Sequence, residues 1–169
     1  SDNDNEYILN KIIKPTLNTM HERGTPFQGI LYAGLMLTSK GPKLIEYNVR
    51  FGDPECQVIL ARIKSNLFEA ILAAVDHTLD NFHIRFYDEV SLTIVMASKG
   101  YPGKYANGSI INGIKKTNII TGIKVFHAGT KIDSDKNLVS NGGRVLSVTA
   151  NAKSIKEARN LAYNAINNI

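Results

Sequence analysis

The sequence has little of several residue types that mark special classes of protein. Its 169 residues include one cysteine, Cys56, and no tryptophan. A single cysteine excludes an internal disulfide framework and is typical of proteins from a reducing compartment. No apolar run approaches the roughly 18 residues that suggest a membrane-spanning helix. The polar, acidic residues 1–6 do not resemble a secretion signal. We therefore expect a cytoplasmic protein that does not enter a membrane.

The composition is that of an ordinary globular protein, with 43% hydrophobic and 21% charged residues. The length predicts one domain or two small ones. Residues 1–84 carry 8 basic and 10 acidic side chains, whereas residues 85–169 carry 12 basic and 5 acidic ones. A basic half favours an anionic partner. The lysines are scattered and no stacking aromatics lie among them, so we expect a small phosphorylated ligand rather than nucleic acid.

The first half of the chain predicts helices and an antiparallel hairpin. Apolar residues recur at helical spacing over residues 5–22, where Pro15 interrupts the helix. The run GILYAGLML, residues 29–37, has the length of a strand, and its continuous hydrophobicity predicts burial on both faces. Residues 44–49 alternate apolar and polar and predict a second, antiparallel strand. Asp53 is a candidate cap for the helix that follows.

The second half predicts strands followed by a helix. Ser65 is a candidate cap for a helix over the next ten residues, and the polar stretch 77–86 is the expected boundary between two lobes. Strands are predicted at 90–97, 123–128 and 144–150. Ser154 is expected to cap a closing helix whose inward side chains are Ile155, Ala158, Leu161, Ala162 and Ile166. With little alternation of single strands and helices, the fold class is α+β.

The residues most suggestive of chemistry lie at the end of the second strand. Side chains alternate along a strand, so Glu46, Asn48 and Arg50 are expected to point the same way. Carboxylate and amide oxygens suit Mg²⁺, which needs few protein ligands when phosphates and water complete its shell. A guanidinium next along would suit a transferring phosphoryl group. The alternative is a solvated strand face with an ordinary Glu–Arg pair.

Several separated stretches carry a resemblance to a known family. They are GILYAGLML, LIEYNVRFGDPECQ, KGYPGKY, VFHAGT and NGGRVLSVTA, in this order along the chain. Together they resemble the C-terminal part of the ATP-grasp enzymes, and of the phosphoribosylamine–glycine ligase family in particular. The resemblance runs from about residue 14 to residue 169. It implies that residues 1–79 end an ATP-grasp domain, that 80–87 form a linker and that 88–169 form a small C-terminal domain.

The resemblance also implies an activity. The family joins glycine to 5-phosphoribosylamine with ATP, in purine biosynthesis, through a glycyl phosphate. Carried over to this sequence, Glu46 and Asn48 would bind Mg²⁺ or Mn²⁺, and Asn48 and Arg50 would hold the nucleotide phosphates. Arg50 would face the transferring phosphoryl group. Asp53 and Glu55 would orient the glycine ammonium, although a helix cap explains Asp53 equally well.

Weaker candidates lie in the second half of the chain. Turn amides at Gly100 and Tyr101 could form an anion nest, or this stretch is a plain hairpin turn. Arg144 follows two glycines and is a candidate for the phosphoribosyl group, or it is a surface arginine that begins a strand. Lys131 is a further candidate for the same site. A cytoplasmic ligase of this family would bind ATP, glycine and phosphoribosylamine.

Three alternatives remain open on sequence. The Glu-x-Asn strand alone would fit another ATP-grasp carboxylate–amine ligase. The chain could instead be a stand-alone binding or regulatory module that keeps the fold. The basic half would suit a nucleic-acid binder, whose affinity falls steeply with salt.

No Gly-rich phosphate loop appears in the sequence, so we expect the chain to need the missing N-terminal part of the enzyme for turnover.

Overall fold

A computed structural model of the protein describes residues 2–169. The chain forms two compact units, of which the first runs to Gly52 and also includes Asn66–Ile84. The second consists of Asp53–Ser65 and Arg85–Ile169. Both contain helices and antiparallel strands, so the α+β prediction is confirmed. The units do not follow the predicted limits at 80–87, because residues 53–65 pack with the second unit. The assignment of 1–79 and 88–169 to named domains stays a prediction.

The first unit begins with a long helix in three segments. They are α1 (Asp2–Ile8), a π-helical segment (Leu9–Ile13) and α2 (Lys14–Glu22). This agrees with the predicted helix and with the interruption at Pro15. Proline has no N–H, so the α-helical hydrogen bond to the residue four positions earlier is lost, and the wider π turn lies just before it. No helix in residues 2–169 has the length and apolar character needed to cross a bilayer.

A hairpin of two strands follows, β1 (Tyr32–Thr38) and β2 (Gly41–Asn48). The strands are antiparallel, as predicted, and their register shifts between Gly34 and Leu35. The prediction that the first strand is buried on both faces is wrong, since Leu37 is 70% exposed. Within the described residues this sheet has two strands only, and Met36 and Ile45 are also exposed.

Two short helices come next in the chain. The helix α3 (Glu55–Arg62) belongs to the second unit, and α4 (Leu67–Val75) belongs to the first. The cap of α4 is Asn66, whose side chain accepts a hydrogen bond from the Phe68 backbone N–H at 3.0 Å. The prediction that Ser65 caps this helix is therefore wrong. Its hydroxyl oxygen instead accepts from the backbone N–H of Arg85 at 2.8 Å.

The second unit is built on a three-stranded antiparallel sheet. Its strands are β3 (Val90–Ala97), β4 (Ile123–His127) and β7 (Arg144–Ala152), in the spatial order β3-β7-β4. A small sheet pairs β5 (Thr130–Ile132) with β6 (Leu138–Ser140). The remaining helices are α5 (Ile114–Asn118) and α6 (Ile155–Ile166). The three main strands and α6 confirm the predicted elements.

The core of this unit lies around β7, the central strand. Val148 and Ala150 are fully buried and pack in one cluster with Ala158, Ala162 and Ala165 of α6. These small side chains let the helix approach the sheet closely. On α6, the prediction that Ser154 caps the helix is confirmed, because its hydroxyl accepts from the Glu157 backbone N–H at 3.3 Å. The prediction that Ile155 points inward is wrong, since it is 68% exposed.

The other face of β7 lies against α3. Side chains alternate along a strand, so Asn151 points away from the face that carries Ala150. Its Nδ2 donates to the Ala61 backbone oxygen at 3.2 Å, at the end of α3. The two helices thus cover opposite faces of the central strand. This arrangement explains why residues 145–150 are buried on both faces.

Candidate functional site

Glu46 and Asn48 lie together at the end of β2, as the sequence predicts. Glu46 pairs with Gly34 across the hairpin, and Asn48 pairs with Tyr32. The Asn48 Nδ2 donates a hydrogen bond to the Glu46 Oε1 at 3.1 Å. Glu46 is exposed and Asn48 is partly buried, so both side-chain heads remain open to a ligand. Local strand alternation is enough to bring these two oxygen-bearing groups to one place.

Arg50 lies beyond the last residue of β2, which is Asn48. Strand alternation therefore does not reach it, and the prediction that it shares a strand face with Glu46 on that ground is wrong. The chain bends at residues 49 and 50, where the ladder with β1 has ended. The exposed Arg50 guanidinium donates to the Phe51 backbone oxygen at 2.8 Å through Nη1. Its predicted role in catalysis and phosphate binding stays a prediction.

The Glu46–Asn48 pair fits a divalent cation that is held mainly by other ligands. One carboxylate and one carboxamide are hard oxygen donors of the kind that Mg²⁺ and Mn²⁺ accept. Within residues 2–169, no group of three or more His, Cys, Asp or Glu side chains gathers to hold a metal. The pair thus suits an ion whose shell is completed by phosphate oxygens and water, rather than an ion enclosed by protein.

Asp53 is held by Arg144 within the second unit. The Arg144 Nη2 lies 2.9 Å from the Asp53 Oδ2, and its Nη1 donates to the Asp53 backbone oxygen at 2.8 Å. The Gln57 Nε2 donates to Asp53 Oδ1 at 3.4 Å. The helix α3 begins at Glu55 with Pro54 in the cap position, and no side chain caps it. The prediction that Asp53 caps this helix is therefore wrong, because the carboxylate turns to the arginine.

Glu55 occupies the first turn of α3. It lines a shallow depression together with Val58, Val90 and Ser91. Its predicted contact with the glycine ammonium stays a prediction. Gln57, one turn further along and in contact with Asp53, is absent from the predicted residues. Its spacing of four from Asp53 is the sequence signal that would have found it.

The Gly100–Tyr101 turn packs against the two glycines that precede Arg144. Gly100 has a φ of +101°, which favours glycine, and Ser98 donates through its hydroxyl to the Gly142 oxygen at 2.7 Å. The Tyr101 ring lies flush on Gly143, where any side chain would overlap the ring. These contacts give the turn a structural role, and its predicted role as an anion nest stays a prediction.

Lys131 is the middle residue of β5. Its positive charge contributes to a lowered pKa of Asp133 in the turn after the strand. The largest cause of that lowered pKa is a hydrogen bond from the Asn137 backbone N–H, at 2.8 Å from Asp133 Oδ1. The structure therefore places Lys131 close enough to Asp133 for their charges to interact. The predicted contact of Lys131 with substrate stays a prediction.

Four of the predicted residues thus form two pairs, Glu46 with Asn48 and Asp53 with Arg144, each inside one compact unit. Two family models match the chain, and the four residues of these pairs lie within the matched ranges. The model described as "Phosphoribosylglycinamide synthetase, ATP-grasp (A) domain" matches residues 1–56. The model described as "Phosphoribosylglycinamide synthetase, C domain" matches residues 91–169. A phosphoribosylamine–glycine ligase from Mesorhizobium japonicum is 52% identical over 164 residues, which are 97% of this chain and 38% of that protein.

The chain belongs to the phosphoribosylamine–glycine ligase family. The resemblance seen in the sequence motifs is thereby confirmed. A ligase of this family from Escherichia coli is 46% identical over 164 residues, which are 96% of this chain and 38% of its own length. A chloroplastic relative from Arabidopsis thaliana is 47% identical and is matched over 31% of its length. The chain therefore spans less than two-fifths of these curated family members.

Solved structures agree with the family assignment. A crystal structure of phosphoribosylamine–glycine ligase from Thermotoga maritima matches 98% of this chain and 40% of its own, with a TM-score of 0.79 and 29% identity. A structure of N5-carboxyaminoimidazole ribonucleotide synthetase from the same organism matches 94% of this chain, with a TM-score of 0.56 and 16% identity. The second likeness shows a shared fold only.

Proposed function

We propose that this chain is the C-terminal part of an ATP-dependent ligase that joins glycine to 5-phosphoribosylamine. The products would be glycinamide ribonucleotide, ADP and phosphate. The observation that carries the proposal is the contact between Glu46 and Asn48, whose Oε1 and Nδ2 atoms are 3.1 Å apart. The chain that holds this pair is 52% identical to a relative named for this reaction. The rest of the ligase would supply most of the nucleotide site, so we expect the 169-residue chain alone to be inactive.

The proposed chemistry has two steps. A carboxylate oxygen of glycine attacks the γ-phosphorus of ATP, and the bond to the bridging oxygen breaks to release ADP. The amine nitrogen of phosphoribosylamine then attacks the acyl carbon of the glycyl phosphate, loses a proton and expels phosphate. Such a reaction depends on positioning and on neutralising the charge of the phosphates.

The residues of this chain would share that work. Glu46 and Asn48 would hold a Mg²⁺ or Mn²⁺ ion, which would neutralise charge on the nucleotide phosphates. Arg50, in the bend after β2, would donate hydrogen bonds to the transferring phosphoryl group. Asp53 and Glu55 would accept hydrogen bonds from the glycine ammonium, with the Asp53 carboxylate kept in place by Arg144.

The second unit would also contribute residues to the phosphoribosylamine site. Gly100, Tyr101, Lys131 and Arg144 would lie on the side of the phosphoribosyl group. The partners would be ATP, glycine, phosphoribosylamine and the N-terminal part of the ligase. We place the enzyme in the cytoplasm, while the name of the Arabidopsis relative shows that location varies within the family.

The proposal is tested in the complete ligase that contains this chain. Glycine-dependent formation of ADP is measured with phosphoribosylamine present, for wild type, Glu46→Gln and the control Glu22→Gln. Glu22 is an exposed glutamate at the end of α2. We expect Glu46→Gln to lower kcat by a factor on the order of 10²–10³, as for loss of one group that stabilises developing charge. The control is expected to behave as wild type.

Three results would count against parts of the proposal. Equal activity of Glu46→Gln and Glu22→Gln would remove the proposed metal role of the pair. ADP formation that needs a different carboxylate and ignores glycine would favour another ATP-grasp ligase. Turnover by the isolated 169-residue chain would contradict the expectation that the chain needs the rest of the enzyme.

A further inference from the structure

Gly34 stands in the middle of β1, where glycine is unfavourable. A glycine inside a strand loses more conformational freedom than other residues and offers no side chain to pack. A positive φ does not explain why glycine occupies this position, since Gly34 is not among the glycines with positive φ. A mid-strand glycine often marks a bulge or a close approach by another group. At Gly34 the register shifts directly after the residue, and another group also approaches it closely.

The group that approaches Gly34 is the side chain of Glu46, its partner across the hairpin. A Cβ placed on Gly34 would lie 3.0 Å from the Glu46 Cγ and 3.7 Å from its Oε1. The first of these distances is well inside ordinary carbon–carbon contact, which is about 3.5–4.0 Å. The Glu46 stem therefore occupies the space that a side chain at position 34 would fill.

The direction of the Glu46 stem decides where its carboxylate lies. In the structure, the stem crosses Gly34 and the Oε1 accepts the hydrogen bond from the Asn48 Nδ2. The register of the hairpin shifts immediately after Gly34, so the Gly34–Glu46 pair is the last regular pair before the irregularity. A methyl group at position 34 would require the Glu46 stem to shift by a few tenths of an ångström. That shift would change the position of the carboxylate relative to Asn48.

We propose that Gly34 is a positioning residue for the cation site. Its missing side chain lets Glu46 lie across β1 and present its carboxylate beside Asn48. This inference rests on the proposed function, because it concerns the same pair of ligands. It adds a residue of β1 to a site that the sequence motif confines to β2.

The test compares four forms of the complete ligase: wild type, Gly34→Ala, Glu46→Gln and the double variant. The Mg²⁺ concentration for half-maximal activity is measured at saturating ATP, together with the thermal midpoint. Ala33→Ser is the matched control, since it adds one heavy atom to the neighbouring residue, whose side chain lies on the opposite face of β1.

We expect Gly34→Ala to raise the Mg²⁺ requirement roughly tenfold or more, as for loss of a group that orients a metal ligand. Its thermal midpoint should stay the same or rise, because alanine restricts the unfolded chain more than glycine does. In the Glu46→Gln background, Gly34→Ala should add nothing, since both changes act on one interaction. Ala33→Ser should leave the Mg²⁺ requirement unchanged.

Each other outcome has a defined meaning. If Glu46→Gln changes the Mg²⁺ requirement and Gly34→Ala does not, the inference fails and the proposed function stands. If Glu46→Gln itself has no effect, the proposed metal site fails, and the inference fails with it. A lower thermal midpoint for Gly34→Ala, or an equal effect with and without Glu46, would show a structural role and overturn the inference.

Discussion

Arg144 holds Asp53 with both arms of its guanidinium, one on the carboxylate and one on the backbone oxygen, at 2.9 and 2.8 Å. The two residues are 91 positions apart in sequence. Asp53 belongs to the RFGDPE stretch and Arg144 to the NGGR stretch, two of the motifs that carry the family resemblance. The contact therefore joins two separate motifs within one compact unit.

Replacing Arg144 tests what this contact does. The ammonium of Arg144→Lys cannot engage the carboxylate and the backbone oxygen in the same forked geometry. The side chains of Arg144 and Asp53 are 40% and 51% exposed, so the loss in free energy of unfolding should be under about 1 kcal/mol. If Asp53 binds glycine, the KM for glycine in the complete ligase should rise by a factor on the order of 10–10².

Arg159→Lys is the control, an exposed arginine on α6 outside this contact. Urea denaturation and glycine saturation curves are compared for both variants. An unchanged KM with Arg144→Lys would mean that the contact has no part in glycine binding.

A second prediction concerns the core around β7. Leu146 is 1% exposed, whereas Ile155 is 68% exposed. Leu146→Ala should lower the free energy of unfolding by about 2–5 kcal/mol, because it removes buried methyl groups and leaves a cavity. Ile155→Ala should change it by at most about 0.5 kcal/mol. Urea denaturation of the 169-residue chain measures both, and a large loss with Ile155→Ala would contradict the packing of α6.

A third prediction concerns pH. Hydrogen bonds, above all from the Asn137 backbone N–H, lower the pKa of Asp133. The ionised form of Asp133 is thus favoured in the folded chain, and its contribution to stability is present above the ordinary aspartate pKa of about 3.9. That contribution is lost as the pH falls through the lower pKa of the folded state.

An NMR titration of the Asp133 carboxyl group measures this pKa directly. Asn137→Ala should raise the pKa part of the way to its ordinary value, because it removes the hydrogen bond from Nδ2 to Asp133 Oδ2 at 3.3 Å and keeps the backbone one. Asp133→Asn should abolish the corresponding pH dependence of unfolding. A pKa at or above the ordinary value would contradict the hydrogen bonds of this turn.

Much of the fold follows from local patterns in the sequence. The strand at 90–97 and the cap at Ser154 agree with the structure, since alternation and capping act between residues close in the chain. Sequence patterns do not predict three short elements, α5, β5 and β6. They have three to five residues each, which is too short for a periodic pattern to show.

The candidate site also has a part that follows from local sequence patterns and a part that does not. The Glu46–Asn48 pair could be predicted, because two residues on one strand share a face whatever the rest of the chain does. The partner of Asp53 could not be predicted, because the helix start at Pro54 suggests a local cap and Arg144 lies far away in sequence. The role of Gly34 depends on cross-strand register, which no single strand pattern fixes.

Each compact unit is made from two separated stretches of chain. The chain passes from one unit to the other after Gly52, Ser65 and Ile84. No single cut therefore releases a whole unit. A shortened protein that begins at residue 88 would retain β3, β4, β7 and α6 but would lose α3, whose end accepts the hydrogen bond from Asn151. It would also leave Arg144 without Asp53. Recombinant work on the C-terminal unit thus needs boundaries that include residues 53–65.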